Sequence, residues 1–291
     1  MNTKEQLVNV EEMLIVDING QLGNQMFQYA LGRHLQLRGR KVYYHTGYFR
    51  ERPEHDFALP RIFGISLPKA TTNQALACRE DRHRLVDRLR RKIFGRRECV
   101  FSETESVSLA YKPEVFNFRR GLIDGYWQSE RYFLDVADVI RKDFTFPEPS
   151  ARNKAMAGEL SSCMSVSIHV RRGDYLGEFP VMDESYFEPA MAYFLKKYKD
   201  VCFYVFSNDL DWCREHLKAE RISFVDGNTG KDSPWDMWLM TQCKHNIIAN
   251  STFSWWGAWL NTNEGKEVIA PKIWLYNKET PDIYCNNWII M

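Results

Sequence analysis

Met-Ser-Val-Ser-Ile-His-Val-Arg-Arg-Gly-Asp-Tyr, residues 164–175, is the stretch where a strand pattern runs directly into clustered charge. Met164, Val166, Ile168 and Val170 alternate with Ser165, Ser167 and His169, the two-residue period of an extended strand, and the chain breaks at Gly173. If the strand persists through Arg172, then His169 and Arg171 project to one side, Val170 and Arg172 to the other. Two guanidiniums therefore sit at one strand end. In an open α/β sheet, ligands bind beyond the carboxyl ends of the strands, and a guanidinium fork matches phosphate oxygens bidentately. The stretch reads as a phosphate or pyrophosphate clamp; the plainer alternative is a surface turn in which Arg172 pairs with Asp174.

Downstream, strand and helix patterns alternate. Residues 201–206 are continuously apolar, as a parallel strand covered on both faces requires, and they end in Ser207-Asn208-Asp209. Residues 222–226 read as another strand. Ser233-Pro-Trp-Asp236 offers an N-cap, a proline at the first helical position and an acid at the third, which predicts a helix through Cys243. Residues 246–250 form a strand that leads into Ser251-Thr-Phe-Ser254 and a helix over 255–261, and a strand at 267–271 closes the series. This order predicts a doubly wound parallel sheet.

Upstream, residues 14–18 are a short β-branched run. A loop containing Gly20 and Gly23 comes next, then a helix in which Met26, Phe27, Ala30, Leu31, His34 and Leu35 share one face up to Gly39. With a strand at 41–45 this is a β-loop-α-β unit. Its glycines allow backbone close to an anionic ligand at the helix N-terminus, or simply make a tight turn. Residues 122–127 are strand-like, and Gln128, Ser129 and Glu130 cap the next helix. Pro147, Pro149 and Ser150 punctuate the chain. This places a flexible extension at 1–12, one α/β domain at 13–149 and a second at 150–291. Residues 71–97 read as an Arg-rich helix, either a solvated face or a surface for an anionic partner such as a lipid-pyrophosphate-linked glycan. His45 and His55 read as surface or packing residues.

The 291 residues carry 39 basic and 38 acidic side chains, a formal charge of +1, without the basic excess of nucleic-acid-binding domains. Seven cysteines form no Cys-x-x-Cys pair, which argues against a disulfide framework or zinc site and for a reducing compartment. No run approaches the ~18 apolar residues of a membrane span, and the first ten residues are too polar for a signal peptide. Nine tryptophans and 14% aromatics supply either stacking platforms for sugars or core. Asp209-Leu-Asp211 has the letters of a metal-binding Asp-x-Asp, but Asp211 also opens a predicted helix, where an acid complements the dipole.

His169-Val-Arg-Arg-Gly-Asp174 resembles the His-x-Arg-Arg-x-Asp signature of the α-1,2-, α-1,6- and protein O-fucosyltransferase superfamily that uses GDP-fucose. Gly20-Gln-Leu-Gly-Asn-Gln-Met-Phe-Gln-Tyr-Ala30, Gly125-Tyr-Trp-Gln-Ser-Glu-Arg-Tyr-Phe133 and Asn250-Ser-Thr-Phe-Ser-Trp-Trp-Gly257 agree, in that order, with the bacterial α-1,2-fucosyltransferases. The resemblance runs from about residue 13 to the C-terminus. It implies an α/β, GT-B-like fold of two facing Rossmann-like domains with a central cleft, and inverting, metal-independent transfer from GDP-β-L-fucose to O2 of a terminal β-galactoside such as lactose or an O-antigen repeat; the competing readings are a fucosyltransferase of other regiochemistry, of the α-1,6 type, and a non-catalytic nucleotide- or glycan-binding protein. It also implies a bacterial cytoplasmic enzyme with at most peripheral membrane contact, and no nucleic-acid partner.

Carried over position by position, the resemblance gives Arg171 the β-phosphate, with Arg172, His169 and Asp174 completing or bracing that site. Asn208 and Asp209 fall at the rim of the nucleotide pocket. Asp236 falls where α-1,6 enzymes place an Asp on the guanine edge, its structural alternative being a capping box with Ser233; Ser251, Thr252 and Ser254 face the phosphates, or else form an N-cap for the helix at 255–261. Gly23, Asn24 and Gln25 face the fucose and acceptor, with Gln21 where many relatives have Gly or Arg. Tyr126, Trp127 and Gln128 are acceptor-side candidates, with core packing the equal alternative for the two aromatics. No motif designates the general base.

Overall fold

The computed structural model describes residues 13–79, 92, 99–103, 109–276 and 279–291. The predicted extension at 1–12 and most of the Arg-rich stretch at 79–97 lie outside the described residues. Two compact units emerge: Met1–Phe144 with Pro281–Ile283, and Thr145–Thr280 with Tyr284–Met291. The division falls five residues before the predicted 149/150 boundary. Phe144 explains the difference, because its buried ring packs on Tyr29 and Phe63 of the first unit.

In the first unit, β1 (Met13–Asp17) leads through a turn at Gly20, where φ is +73°, into α1 (Leu22–Leu37) and then β2 (Lys41–His45). The buried side of α1 includes all six residues of the predicted face, and Gly39 ends it at φ +79°. After α2 (Thr72–Cys78), opened by a Thr71/Gln74 capping box, come β3 (Val100–Ser102) and β4 (Gly121–Asp124). The strands form one parallel sheet in the order β2-β1-β4-β3. All five residues of β1 are buried, the burial expected of a central parallel strand. A short helix, α3 (Ala137–Asp143), precedes the division.

The second unit runs α4 (Ala151–Ser162), β5 (Met164–Val170), α5 (Glu184–Lys197), β6 (Val201–Ser207), α6 (Leu210–His216), β7 (Ile222–Val225), α7 (Pro234–Gln242), β8 (His245–Ile247), α8 (Thr252–Leu260), β9 (Val268–Ala270) and β10 (Ile289–Ile290). Its six strands are parallel in the order β10-β9-β8-β5-β6-β7, the doubly wound arrangement the alternation predicts.

The alternation in β5 does not mark a wet face. Ser165 and Ser167 are fully buried, Ser165 donating to the Leu160 carbonyl at 2.6 Å and Ser167 accepting from Asn246 at 2.7 Å. Small hydroxyls let α4 and α7 approach one side of the sheet while Val166, Ile168 and Val170 pack with Phe187 and Phe194 of α5 on the other. At α7 Pro234 does occupy the first position, but Ser233 is already helical and makes no side-chain cap, so the predicted capping box is absent.

Candidate active site

The connections reverse direction at β5, with β6 on one side and β8 on the other, and this is the place where open α/β sheets bind ligands. Arg171 and Arg172 follow β5 directly. Neither is turned into bulk solvent, their side chains being 19% and 17% exposed. Arg171 donates to Asp174 at 2.7 Å and lies 5.5 Å over the Tyr175 ring; Arg172 lies 4.1 Å over Trp212 with its Nε 3.5 Å from Asp209. The surface-turn alternative, which paired Arg172 with Asp174, is thereby corrected: Arg171 takes Asp174, and each guanidinium is backed by a ring and a carboxylate.

Asn208, at the end of the adjacent β6, locks this geometry. Its Oδ1 accepts the Arg172 backbone N–H at 3.0 Å and its Nδ2 donates to Asp174 at 3.1 Å. Gly173 leaves room for this approach: a Cβ there would stand 2.7 Å from Asn208 Nδ2, and that amide would have to shift. Asp209 caps α6 by accepting from Trp212 N–H at 3.2 Å. Asp211 is fully exposed beside Arg214, and among the described residues no three His, Cys, Asp or Glu side chains gather as metal ligands.

His169 is buried against Phe253, and that burial, with Arg171 nearby, pushes its pKa down to about 3. It stays neutral and braces the strand end. Ser251 is buried and hydrogen-bonds Tyr175, and Thr252 starts α8 half-buried. Ser254 corrects an expectation: its buried hydroxyl donates to the carbonyls of Ala249 and Ser251, inside its own turn, so it does not face a ligand. The following Trp255 and Trp256 are core residues, not sugar platforms.

Asp236 accepts from Asn228 at 2.9 Å, and Asn228 exchanges amide hydrogen bonds with Asn153. Burial raises the Asp236 pKa from 3.8 to about 7, against the opposing pull of Asn228 and Arg152. The carboxyl is not consumed as a helix cap and is poised to change charge near neutrality.

In the first unit, Asn24 Oδ1 accepts from Gln128 Nε2 at 3.0 Å, joining two motifs 104 residues apart. Gly23 is buried in the first turn of α1. Gln25 is a strut: its fully buried amide donates to the carbonyls of Gly20 and Asp56 and accepts from Ala58 N–H, which corrects its expected ligand role. For Trp127 the core-packing alternative holds. It is fully buried at φ +56°, edge-on to Tyr132, while Tyr126 remains 36% exposed. Buried Glu103 holds both residues by accepting their backbone N–H groups at 2.8 Å.

Sequence reasoning missed a second cluster at the carboxyl ends of β1, β2 and β4. Asp17 accepts from His45 Nδ1 at 2.8 Å and from Arg79 at 2.7 Å, and Arg79 stands 3.7 Å from Asp124. His45 is thus a hydrogen-bond partner of Asp17 and not a plain packing residue. The available signal was the acid closing the run Leu14-Ile-Val-Asp17.

The family model described as glycosyl transferase family 11 matches residues 108–291. An α-1,2-colitosyltransferase of Escherichia coli is 30% identical over 92% of this chain and 94% of its own. The O-antigen biosynthesis glycosyltransferase WbnK of Escherichia coli is 29% identical over 94% of this chain and 98% of its own. A galactoside α-(1,2)-fucosyltransferase 1 of Bos taurus is 31% identical over 84% and 65%. Among solved structures, NodZ α-1,6-fucosyltransferase co-crystallized with GDP superposes with a TM-score of 0.50 at 15% identity, covering 85% of this chain and 91% of that one. A mutant of Arabidopsis thaliana FUT1 in complex with GDP gives 0.50 at 12% identity, covering 89% and 70%. These likenesses show the fold, an α/β architecture of the GT-B-like class.

Proposed function

Because the chain belongs to glycosyl transferase family 11, we propose that it transfers L-fucose from GDP-β-L-fucose to O2 of a terminal β-galactoside, with inversion and without a metal ion. The observation that carries the donor half is the Arg171/Arg172 pair, ring-backed and held by Asn208 and Asp174 at the switch point of the sheet. As the glycosidic bond breaks, negative charge grows on the β-phosphate. Fixed guanidiniums in a poorly hydrated site stabilise that charge without reorganising, and one such donor is worth about 3–4 kcal/mol.

Asp236 supplies a carboxylate for the N–H edge that distinguishes guanine from adenine. Thr252 and the backbone N–H groups opening α8 would face the phosphates, which a helix N-terminus favours. Asn24, oriented by Gln128, is the polar group of the first unit assigned to the sugar. The α-1,2 specificities of the Escherichia coli colitosyltransferase and the Bos taurus fucosyltransferase support the linkage. The two Escherichia coli relatives support a bacterial setting, and seven cysteines outside any disulfide support a cytoplasmic one. Among the described residues no helix is long and apolar enough to cross a membrane.

The test is GDP release with GDP-fucose and lactose, followed by NMR assignment of the product linkage. An α-1,2 product formed undiminished in EDTA supports the proposal; loss of turnover in EDTA would return Asp209 and Asp211 to a metal role. The colitosyltransferase relative, matched over nearly its whole length, favours one second reading, in which the sugar is colitose. Competition between GDP-fucose and GDP-colitose decides between the two donors.

A further inference from the structure

Beside β2, the edge strand of the first sheet, lies a cavity of about 460 Å3. The volume falls within the ~300–1,000 Å3 range of small-molecule sites. The short helix Leu59–Phe63 ends at Gly64, where φ is +65°, and the chain then returns along β2. Tyr44 fastens it there: its N–H donates to the Pro68 carbonyl at 2.8 Å, and its carbonyl accepts from Ala70 N–H at 3.0 Å. This returning segment forms one wall of the cavity, α1 another and the end of α3 a third, with Phe63 and Leu67 as apolar lining. Every lining residue belongs to the first unit, whereas the arginine pair belongs to the second.

The polar groups of this cavity identify the ligand class. Tyr44 lines it and is fully buried, yet its hydroxyl has no hydrogen-bond partner among the described residues. The oxygen rests on Gly32 of α1, where a Cβ would stand 2.6 Å away, and the ring stacks on Tyr29 with centroids 6.0 Å apart. A glycine inside a helix and a buried hydroxyl without a partner are both destabilising, so packing alone does not favour the arrangement. Burial holds the phenol pKa well above its usual 10, and the hydroxyl keeps its proton as a donor. Arg33, the residue after Gly32, lines the same cavity. Asp143 Oδ2 accepts from its Nε at 2.9 Å and from the Tyr29 hydroxyl at 2.8 Å, which fixes the guanidinium, and its Nη groups make no other hydrogen bond among the described residues. Lys142 of α3 is exposed and adds an ammonium that no carboxylate pairs among the described residues. Hydroxyl, guanidinium and ammonium supply donors and no acceptor of comparable strength, a set that an oxyanion satisfies.

The geometry points to this cavity as a second oxyanion site, on the opposite unit from the arginine pair, which takes a phosphate group on the Tyr44 hydroxyl, the Arg33 guanidinium and the Lys142 ammonium. The volume leaves room for an organic body against Phe63 and Leu67, so the phosphate is either free or the head of a small phosphomonoester. The inference depends on neither the donor sugar nor the acceptor, and it gives a role to a hydroxyl that the transfer reaction does not use.

The test measures binding of inorganic phosphate and of glucose 6-phosphate by titration calorimetry and phosphorus NMR. The full chain is used in the Arg171→Ala background, which weakens the arginine pair as a competing phosphate site, and is compared with Tyr44→Phe and Lys142→Gln added to that background. Loss of a hydrogen bond to a charged group predicts ~10- to 100-fold weaker binding for Tyr44→Phe. Lys142 is exposed, and Lys142→Gln should weaken binding only ~2- to 5-fold. Without ligand, Tyr44→Phe should melt at or above the temperature of its parent, because it deletes a buried hydroxyl that bonds nothing; a purely structural hydroxyl would lower it. Tighter binding of the ester than of phosphate assigns the source as a phosphorylated metabolite, equal binding assigns free phosphate, and either supports the site. If neither compound binds the Arg171→Ala protein at millimolar concentration, or if both added substitutions leave binding unchanged, the site does not exist.

Discussion

Asn208→Ala removes the side chain that ties the end of β6 to the loop after β5. Two hydrogen bonds go, one to Arg172 N–H and one to Asp174, and the second matters because the other oxygen of Asp174 holds Arg171. Asn208 is exposed, so water replaces its partners and each bond contributes at the low end, about 0.5–1 kcal/mol. The expected loss of stability is therefore only ~1–2 kcal/mol. The loss of turnover should be larger. A guanidinium displaced by about 1 Å from the developing charge costs up to 10²-fold, so kcat/KM is expected to fall ~10- to 100-fold. Denaturant unfolding gives the first number and GDP release with GDP-fucose and lactose gives the second. Asp174→Ala should have a similar effect, and the double variant should be little worse than either single one, with a coupling energy of about 0.5–3 kcal/mol. Strict additivity of the two substitutions, or a rate loss no greater than the unfolded fraction explains, would refute the idea that Asn208 acts through Arg171.

Three further outcomes rest on the same geometry. Arg171→Ala should cost ~10²- to 10³-fold in kcat, and Arg171→Lys should recover only part of it because the bidentate fork is lost; single-turnover kinetics with saturating acceptor measures both. On the proposed guanine contact, Asp236 should make GDP binding pH-dependent. Its folded-state pKa is raised to about 7, so between pH ~4 and ~7 the folded protein holds a proton that the unfolded chain has lost, and this group's contribution to stability declines as pH rises through that window. GDP offers N–H donors and needs the carboxylate, so affinity should fall by up to tenfold per pH unit below about 7, a slope that Asp236→Asn should flatten in titration calorimetry. Gln25→Ala should strip three backbone groups of buried partners and cost about 3 kcal/mol in denaturant unfolding, while the folded variant binds GDP as the wild type does.

The local chemistry of this chain is written in its order. Apolar runs ending in Ser207-Asn208-Asp209 and in His169-Val-Arg-Arg, separated by helical patterns, suffice to place a parallel sheet with two guanidiniums at a strand end, because strand period and strand-end residues are properties of neighbours in sequence. Which acid each arginine would meet was not legible. Arg171 rather than Arg172 takes Asp174 because the loop after β5 is pinned by Asn208 from the adjacent strand. The same limit explains Gln25, Trp127 and Ser254, polar or aromatic members of motifs whose burial depends on what folds over them. It also explains the cluster of Asp17, His45, Arg79 and Asp124. Each is a single charged residue or histidine in an ordinary stretch, and only the parallel pairing of β1 with β2 and β4 brings three of them to one sheet edge, where Arg79 can reach two carboxylates. Sequence determines the elements and the charges they carry; the pairing of strands far apart in the chain determines which charges meet, since that contact is made by hydrogen bonds between backbones that no local pattern records.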